Sequence, residues 1–265
     1  MIDGPLRNWP RAFGPDQWVR VLAQTTSTQD AARALASSTQ QRIFIAARQT
    51  RGRGSRGRAW SDRHGLGLAM TISFPASSTA NGPLDAGILP LACGLAAIDA
   101  ITRLCGKHSP RLGLKWPNDV VQVDASGRGV RKLGGILIEA AQGCLFAGIG
   151  INVHQQEADF EPSLRRDAVS LRQLGVHLSR PVLGAAIVAS LAGILEASPQ
   201  TVLDRWKQHD ALRGARGSFE HNLQTFIGTV LHIEPTRSIE LRLADGQTVS
   251  LPAATTVRIR PHAAG

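Results

Sequence analysis

A short segment at residues 49–62 cannot belong to a hydrophobic core. It reads Gln-Thr-Arg-Gly-Arg-Gly-Ser-Arg-Gly-Arg-Ala-Trp-Ser-Asp, with three glycines and four arginines in eight consecutive residues. Glycines let the backbone approach a ligand closely, and successive N–H groups in such turns form anion-binding concavities. Arginine side chains add fixed positive charge. The segment predicts a phosphate-binding loop that is poorly ordered until a ligand binds, because it has little to bury.

A basic, glycine-rich run is also typical of nucleic-acid-binding tails and solvated linkers. Its position favours a functional loop, because apolar strand candidates at residues 42–47 and 66–74 flank it. The segment has no Gly-Lys-Ser/Thr ending, which excludes a Walker-type loop, and no clear helix follows its glycines.

Length and charge limit the remaining choices. A chain of 265 residues predicts one large core plus a small module. Thirty Lys and Arg against 20 Asp and Glu give a net charge of +10, which suits nucleotides, nucleic acid or an acidic protein partner.

Three widely spaced cysteines predict free thiols in a reducing compartment. Without a Cys-x-x-Cys pair or His ligand spacing, we expect no structural metal. The first 18 residues lack a signal-peptide core, and the longest apolar run, 86–100, is too short to span a bilayer, so we expect a cytoplasmic protein without membrane contact.

The order of elements predicts an N-terminal arm (1–18), a large domain (19–212) and a small C-terminal domain (213–265). Strand candidates occupy 19–22, 42–47, 66–74, 111–116, 120–123, 132–139 and 144–153. Helix candidates occupy 31–36, 84–104, 169–174, 181–197 and 200–209. Short β runs at 225–233, 239–243, 248–251 and 255–259 predict a small antiparallel barrel or sheet.

Several strand candidates carry polar residues at an end, which predicts one shared pocket. Pro117 stops a strand where Asn118 and Asp119 begin. Lys132 opens an apolar strand containing a Gly-Gly pair, which indicates close backbone approach to a ligand. Strand alternation predicts that Arg131 points away from this pocket. For Lys115 and Trp116, packing at the end of a strand explains the residues at least as well as a role in the pocket does.

Hydroxyl residues 25–28 precede an alanine-rich helix candidate. They are typical of a helix N-cap, and the same hydroxyls could hydrogen-bond a polar ligand at the positive end of the helix.

In this order the motifs resemble those of the biotin protein ligases over roughly residues 20–260. The motifs are Ser27-Thr28, the 52–60 run, Lys-Trp-Pro-Asn-Asp at 115–119, Lys-Leu-Gly-Gly-Ile-Leu at 132–137, and Gly-Ile-Gly-Ile-Asn at 148–152. The resemblance implies an α+β fold in which a mixed β-sheet faced by helices precedes a small C-terminal antiparallel β-barrel. The chain resembles the monofunctional form of these enzymes, which has no N-terminal DNA-binding domain. We therefore expect no sequence-specific DNA binding.

The resemblance also implies a reaction and a set of site residues. Such enzymes form biotinyl-5'-adenylate from biotin and ATP, release pyrophosphate, and transfer biotin to a lysine of a biotin carboxyl carrier protein such as that of acetyl-CoA carboxylase. The implied catalytic residues are Lys132, Arg53 and Asp119. The implied biotin-binding residues are Ser27, Thr28, Gln29, Gln49, Arg53, Gly54, Ser55, Lys132 and Gly135. The implied ATP and adenylate contacts are Gly52, Arg53, Arg56, Arg58, Trp60, Asn118, Lys132 and Asn152.

Two positions depart from the family pattern: Gln29 stands where relatives usually have Asn, and Ser55 where they often have a basic residue. Magnesium is expected mainly on ATP. Asp119 could be either a base for the acceptor lysine or a magnesium ligand. Rival hypotheses are a lipoate or octanoate ligase or transferase of the same fold, and a basic nucleic-acid-binding protein. The sequence leaves open whether the protein forms a weak homodimer.

Overall fold

The computed structural model describes residues 2–37, 39–61, 65–75 and 85–259. Its main feature is a seven-stranded sheet in the order β1-β2-β5-β9-β8-β7-β6, beside a separate hairpin of β3 and β4. These strands, numbered along the chain, are β1 (Val19–Leu22), β2 (Arg42–Ala46), β3 (Gly52–Arg53), β4 (Ala59–Trp60), β5 (Gly67–Pro75), β6 (Leu112–Lys115), β7 (Asp119–Val123), β8 (Gly129–Ala141) and β9 (Cys144–Asn152).

The sheet is mixed because β1 and β2 are parallel and every other neighbouring pair is antiparallel. All nine residues of β5 are buried, as expected for a central strand covered on both faces. At its start, Gly67 pairs with Asn152 at the end of β9. The same end of the sheet receives the polar termini of β7 and β8, where Asp119 pairs with Gly135.

Four α-helices accompany the strands in the described part of the chain: α1 (Thr28–Ala34), α2 (Leu89–Cys105), α3 (Arg180–Leu195) and α4 (Pro199–Gln208). Small residues let α2 approach the sheet closely: a Cβ on Gly94 would lie 2.8 Å from the side chain of Leu114. Leu89–His108 is long and apolar enough to cross a membrane, but 61% of its apolar window is buried inside the protein. Such burial is also found in the core helix of a globular domain.

The N-terminal arm forms a 3-10 helix, Leu6–Phe13, that places Trp9 and Phe13 in the core. Asp3 fixes the arm, because its carboxylate accepts hydrogen bonds from the Arg180 backbone N–H at 2.7 Å and from Arg180 Nε at 2.8 Å. Arg180 also donates to Ala47 O and stacks over Trp9. The predicted arm therefore packs against α3 and the sheet.

A second sheet is formed by β10 (Arg216–His221), β11 (Gln224–Glu234), β12 (Ser238–Leu243), β13 (Thr248–Pro252) and β14 (Val257–Ile259). Its order is β13-β12-β11-β10-β14, with every pair antiparallel. The edge strands β13 and β14 do not pair with each other, so the predicted barrel is only approximate. Trp116 Nε1 donates to Pro235 O at 3.2 Å and joins this sheet to the first one.

The α+β class and the order of the two sheets confirm the predicted fold. Three local predictions were wrong. The helix predicted at 84–104 begins at Leu89, and Leu84 lies outside the described residues. The helix predicted at 169–174 is one 3-10 turn, Arg172–Leu174, because a Gly with positive φ ends it at once. Strand β10 was missed because its Arg-Gly-Ser-Phe-Glu-His sequence has weak strand propensity. The domain boundaries at 18 and 212 remain predictions.

Candidate active site

Two adjoining cavities lie where the basic loop meets the seven-stranded sheet. The larger has a volume of about 250 Å³ and the smaller about 50 Å³. Gly54, Ser55, Trp60 and Lys132 line both. A ligand that occupied both cavities would therefore pass between the loop and strand β8.

The basic loop is a tight hairpin rather than the poorly ordered segment that its composition predicted. Gly52 pairs with Trp60, and a Cβ on Gly52 would lie 2.5 Å from the Trp60 carbonyl oxygen, so only glycine fits. Gly54 N–H donates to Arg58 O at 2.7 Å, and Arg56 takes a left-handed φ of 60° at the turn. Backbone and side-chain bonds replace the missing apolar contacts. The last residue of the predicted run, Asp62, lies outside the described residues.

Arg53 is bound to two carboxylates. Its Nη1 lies 2.5 Å from Asp30 Oδ1 on α1, and its Nη2 lies 3.2 Å from Glu139 Oε2 on β8. Arg33 reaches the same Glu139 oxygen at 2.8 Å. Burial alone would lower the pKa of the Arg53 guanidinium, but the hydrogen bonds to Asp30 and Glu139 raise it overall. Arg53 thus ties the loop to the helix and the sheet.

The predicted hydroxyl cluster lies at the N-terminus of α1 beside the smaller cavity. Ser27 is the N-cap residue, and its Oγ accepts from Gln29 N–H at 3.2 Å. Gln49 Oε1 accepts from both the backbone N–H and the hydroxyl of Thr28, at 2.7 and 3.1 Å. Thr71 on β5 donates to the same hydroxyl at 2.8 Å. A buried polar network therefore lines one side of this cavity.

Gln29 extends this network across the sheet. Its Nε2 donates to Leu137 O at 3.0 Å, whereas its buried Oε1 has no hydrogen-bond partner within the described ranges. Gly148 makes room for the longer side chain, since a Cβ there would lie 2.8 Å from Gln29 Nε2. An unsatisfied buried acceptor is costly, so this oxygen is suited to a ligand N–H.

Lys132 lies on the wall shared by the two cavities. Its Nζ is 2.6 Å from Asp119 Oδ1 and 5.7 Å from the centroid of the Trp60 ring. The backbone is fixed on both sides, because Lys132 N–H donates to Asp167 O at 2.6 Å and Val169 N–H donates to Lys132 O at 2.8 Å. Gly135 leaves room for the amine, since a Cβ there would be 3.1 Å from Nζ.

The two glycines behind Lys132 have different neighbours. A Cβ on Gly134 would meet the Gly150 carbonyl oxygen at 2.6 Å, so the close approach at Gly134 is to strand β9. The approach predicted for a ligand applies to Gly135, which lines the smaller cavity.

Arg131 lines the larger cavity, but so do its neighbours Gly129, Val130 and Lys132, so the expectation that its side chain points away from the pocket stays a prediction. The pairing of β7 with β8 shifts register on both sides of Val121 and Gln122, which interrupts strict alternation. Arg131 Nε donates to Gln122 Oε1 at 3.1 Å, which holds the guanidinium near the strand.

The two predicted asparagines lie in different cavities. Asn118 lines the smaller one and uses its Nδ2 to donate to Ile136 O at 2.5 Å. Asn152 lines the larger one, and its Nδ2 donates to Val169 O at 3.0 Å. Each amide group therefore donates to a backbone carbonyl, and the predicted nucleotide contacts of both residues remain predictions.

The remaining loop cations differ in position. Arg58 lines the larger cavity, and Arg56 lines neither cavity. Burial and the charge of Arg58 lower the pKa of Arg56, which Glu220 on β10 partly offsets. Arg56 therefore lies within electrostatic reach of Glu220 and outside both cavities, and compensation for Ser55 by Arg56 would require a change of conformation.

The matched family extends over most of the sheet that carries this site. The family model of the biotin/lipoate A/B protein ligase family matches residues 19–156. A biotin–[acetyl-CoA-carboxylase] ligase of Mycobacterium tuberculosis is 33% identical over 250 residues, which cover 91% of this chain and 88% of that relative. This chain belongs to the biotin/lipoate A/B protein ligase family.

Solved structures of this ligase family agree with the fold. A biotin protein ligase of Aquifex aeolicus in complex with biotin and ATP has a TM-score of 0.76 at 21% identity, covering 92% of this chain and 99% of that one. A biotin protein ligase of Leishmania major in complex with biotinyl-5-AMP has a TM-score of 0.59 at 25% identity, covering 90% and 100%. The arrangement of the two sheets is therefore shared with these ligases.

In this ligase family member, sequence reasoning missed Asp30 and Glu139, the two partners of Arg53. Each is an ordinary charged residue on a helix or strand, and they are 109 residues apart in sequence. A negatively charged residue on the first turn of a helix is common for dipole reasons alone. The only available signal was the surplus of arginines in the loop, which need anionic partners when no ligand is bound.

Proposed function

We propose that this chain is an ATP-dependent biotin ligase that forms biotinyl-5'-adenylate and transfers biotin to a lysine of a biotin carboxyl carrier protein. The position of Lys132 carries the proposal. One cation on the wall between a small, polar cavity and a large, partly basic cavity suits a reaction that joins two anionic groups. Biotin would occupy the smaller cavity and ATP the larger one.

The first half-reaction joins a carboxylate to a nucleotide. A carboxylate oxygen of biotin attacks the α-phosphorus, the bond to the β-phosphate oxygen breaks, and pyrophosphate leaves. The two reactants repel each other, so the site must neutralise charge before they can meet in line. We assign this role to Lys132, with Arg58 and Arg131 along the larger cavity and Arg53 as the residue that holds the loop closed.

Recognition of biotin would depend on the cluster at the start of α1. The ureido group of biotin presents two N–H donors and one carbonyl acceptor. The unsatisfied Gln29 oxygen supplies an acceptor, and the hydroxyls of Ser27 and Thr28 supply further polar groups. Gln49 orients Thr28 and so acts beside the ligand. The smaller cavity, at about 50 Å³, must widen to admit the ring system, so the hairpin that borders it would have to shift when biotin binds.

Magnesium would arrive mainly on ATP. Among the residues that the structure describes, no group of three or more His, Cys, Asp or Glu side chains is placed to hold a metal ion. Asp119 is the carboxylate nearest the shared wall, and its bond to Lys132 would have to loosen for it to contact a metal. Magnesium neutralises phosphate charge when bound, and Asp119 is the carboxylate that we would assign to it if Asp119 does not act on the acceptor amine.

Transfer to the carrier requires a neutral lysine amine. That amine attacks the acyl carbon of the mixed anhydride, AMP leaves, and the amine proton must move to a base. Asp119 is in reach of the shared wall and could orient the amine or take the proton. A closed loop would protect the anhydride from water until the carrier arrives.

Biotin is favoured over lipoate because the Mycobacterium tuberculosis relative, which aligns with 91% of this chain, is a biotin–[acetyl-CoA-carboxylase] ligase. The test is pyrophosphate exchange with biotin, lipoate and octanoate as alternative acids. We expect biotin-dependent exchange only. Exchange that depends on lipoate or octanoate and not on biotin would assign the chain to the other branch of the family.

The nucleic-acid hypothesis makes a different prediction. Arg53 is occupied by two carboxylates and the larger cavity is concave, both of which favour a small anionic ligand over a strand. Filter binding over a range of salt should give weak attraction with no sequence preference. A tight, salt-resistant complex with one nucleic-acid sequence would support the rival function.

Two further inferences concern context. Cys93, Cys105 and Cys144 are free thiols, and burial raises the pKa of Cys93 to about 12, which makes that thiol unreactive. Free thiols support a reducing compartment, and we infer a cytoplasmic location. The weak homodimer remains a prediction.

A further inference from the structure

Gln155 carries a second unsatisfied polar atom, and this one lies on the larger cavity. The residue is three positions beyond the end of β9 and is only 6% exposed. Its Oε1 is buried, and none of the described residues gives it a hydrogen bond. Gln155 lines the larger cavity and not the smaller one. Its side chain therefore carries a buried, unsatisfied acceptor at the lining of that cavity.

Hydrogen bonds hold the backbone of Gln155 and so fix the point from which its side chain extends. The buried Ser170 hydroxyl donates to Gln155 O at 2.6 Å, and Gln173 in turn holds Ser170 through two hydrogen bonds of 3.0 and 3.1 Å. The preceding residue, His154, donates its N–H to Leu66 O at 3.0 Å. This chain of bonds ties Gln155 to the segment that follows the basic loop.

Apolar side chains and an amide line the same cavity, as a flat heterocycle requires. Leu66, Phe160, Leu164 and Ala168 contribute apolar surface. The other amide on this cavity, Asn152, already donates to Val169 O, whereas the Gln155 oxygen has no partner in the described part of the chain. Gln155 is also absent from the wall with Lys132, where the reacting phosphate would lie.

We infer that Gln155 selects the base of the nucleotide by accepting a hydrogen bond from the exocyclic amine of adenine. A carboxamide presents an acceptor beside a donor, which complements the amine and the adjacent ring nitrogen of adenine. Guanine presents a carbonyl oxygen where adenine presents the amine, so the same acceptor disfavours it. This inference rests on the proposed function only in taking a nucleoside triphosphate as the ligand of the larger cavity.

The test compares three nucleotides on two proteins. Dissociation constants of ATP, purine riboside triphosphate and GTP are measured by calorimetry without biotin, so no turnover is needed. Purine riboside triphosphate differs from ATP only in lacking the amine. The parental protein should prefer ATP over it by about tenfold. Gln155→Leu should reduce that preference to within about twofold, mainly by raising the dissociation constant of ATP.

A matched control is the neighbouring Gln156→Leu, which makes the same change at an exposed position outside both cavities. It should keep the parental preference. Gln155→Leu removes an unsatisfied buried oxygen, so its melting temperature should not fall. A variant that keeps the full preference for ATP overturns the inference. If that variant does not fold, equal affinity of the parental protein for ATP and purine riboside triphosphate overturns it instead.

Failure of this inference can be distinguished from failure of the proposed function. Biotin-dependent pyrophosphate exchange with unaltered base selectivity in Gln155→Leu would leave the ligase reaction intact and remove the role of Gln155. Base-selective nucleotide binding without any biotin-dependent exchange would leave the role of Gln155 intact and remove the ligase reaction.

Discussion

Lys132 Nζ and Asp119 Oδ1 lie 2.6 Å apart at the junction of the two cavities. In the sequence they belong to different strands, and Asp119 ends one motif while Lys132 opens another. The pairing of β7 with β8 brings them together. The cation is thus held by a protein carboxylate until anionic substrates compete for it.

Lys132→Ala should slow formation of the adenylate by about 3 to 4 kcal/mol, on the order of a hundred- to a thousandfold, because a preorganised cation is lost where two anions meet. Transfer from preformed biotinyl-adenylate should fall less, since pyrophosphate has already left. Single-turnover assays of each step measure the difference. Arg131→Ala is the control, since Arg131 lines only the larger cavity, and its loss should cost less than Lys132→Ala. If a folded Lys132→Ala variant formed the adenylate at the parental rate, the assignment of Lys132 to the active site would be wrong.

Arg53→Ala should speed the loss of biotinyl-adenylate, because Arg53 links the loop to Asp30 and Glu139. The three side chains are 22 to 45% exposed, so solvent screening limits the two ion pairs together to about 1 to 2 kcal/mol, on the order of tenfold in dissociation rate. Stopped-flow dissociation of the adenylate measures it.

Glu139→Gln separates two explanations of the Arg53 effect. If Arg53 acts by holding the loop, removing one of its carboxylates should reproduce part of the increase. If Arg53 acts on the ligand directly, Glu139→Gln should leave the rate unchanged. Arg51→Ala, an exposed loop arginine that lines neither cavity, is the control for loss of charge.

Ser55→Arg should slow the loss of the adenylate, because Ser55 lines both cavities and a cation there would meet the phosphate. Biotin on unrelated lysines should decrease in parallel when the variant is incubated with a mixture of proteins. Ser55→Ala introduces no charge and should behave like the parent. Equal dissociation rates for the arginine and alanine variants would mean that the loop does not bring this position to the phosphate.

Asp3→Asn should lower the free energy of unfolding by about 2 kcal/mol at neutral pH. Burial would raise the pKa of Asp3, but hydrogen bonds with His154 and Arg180 and the charge of Arg180 outweigh it and lower the pKa from 3.8 to about 2. The ionised carboxylate therefore stabilises the fold above pH 3.8, and this contribution is lost as the pH falls through about 2.

Urea titrations of the parent and Asp3→Asn between pH 7 and pH 2 test this, and the two curves should converge at the acid end. The exposed Asp16→Asn should change the free energy of unfolding by less than about 0.5 kcal/mol throughout. A difference between parent and Asp3→Asn that does not vary with pH would show that the carboxylate charge is not the cause.

The sequence predicted the strand ends well because proline, glycine and polar residues mark them locally. The convergence of Asn118, Lys132 and Asn152 on one end of the sheet followed from those marks. Side-chain partners that depend on distant elements could not be predicted. Asp30 and Glu139 meet Arg53 only after the sheet forms, and nothing around Gln155 distinguishes it from a surface glutamine.

The hydrogen bond from Trp116 to Pro235 has a consequence for how the chain unfolds. Trp116 is buried between the two sheets, and Phe219, Ile233 and Leu241 of the second sheet belong to the same continuous core. Detaching the second sheet would expose the indole ring three residues before Asp119. The C-terminal sheet therefore stabilises the strand end that carries Asp119. We expect the two sheets to unfold in one cooperative transition rather than one after the other.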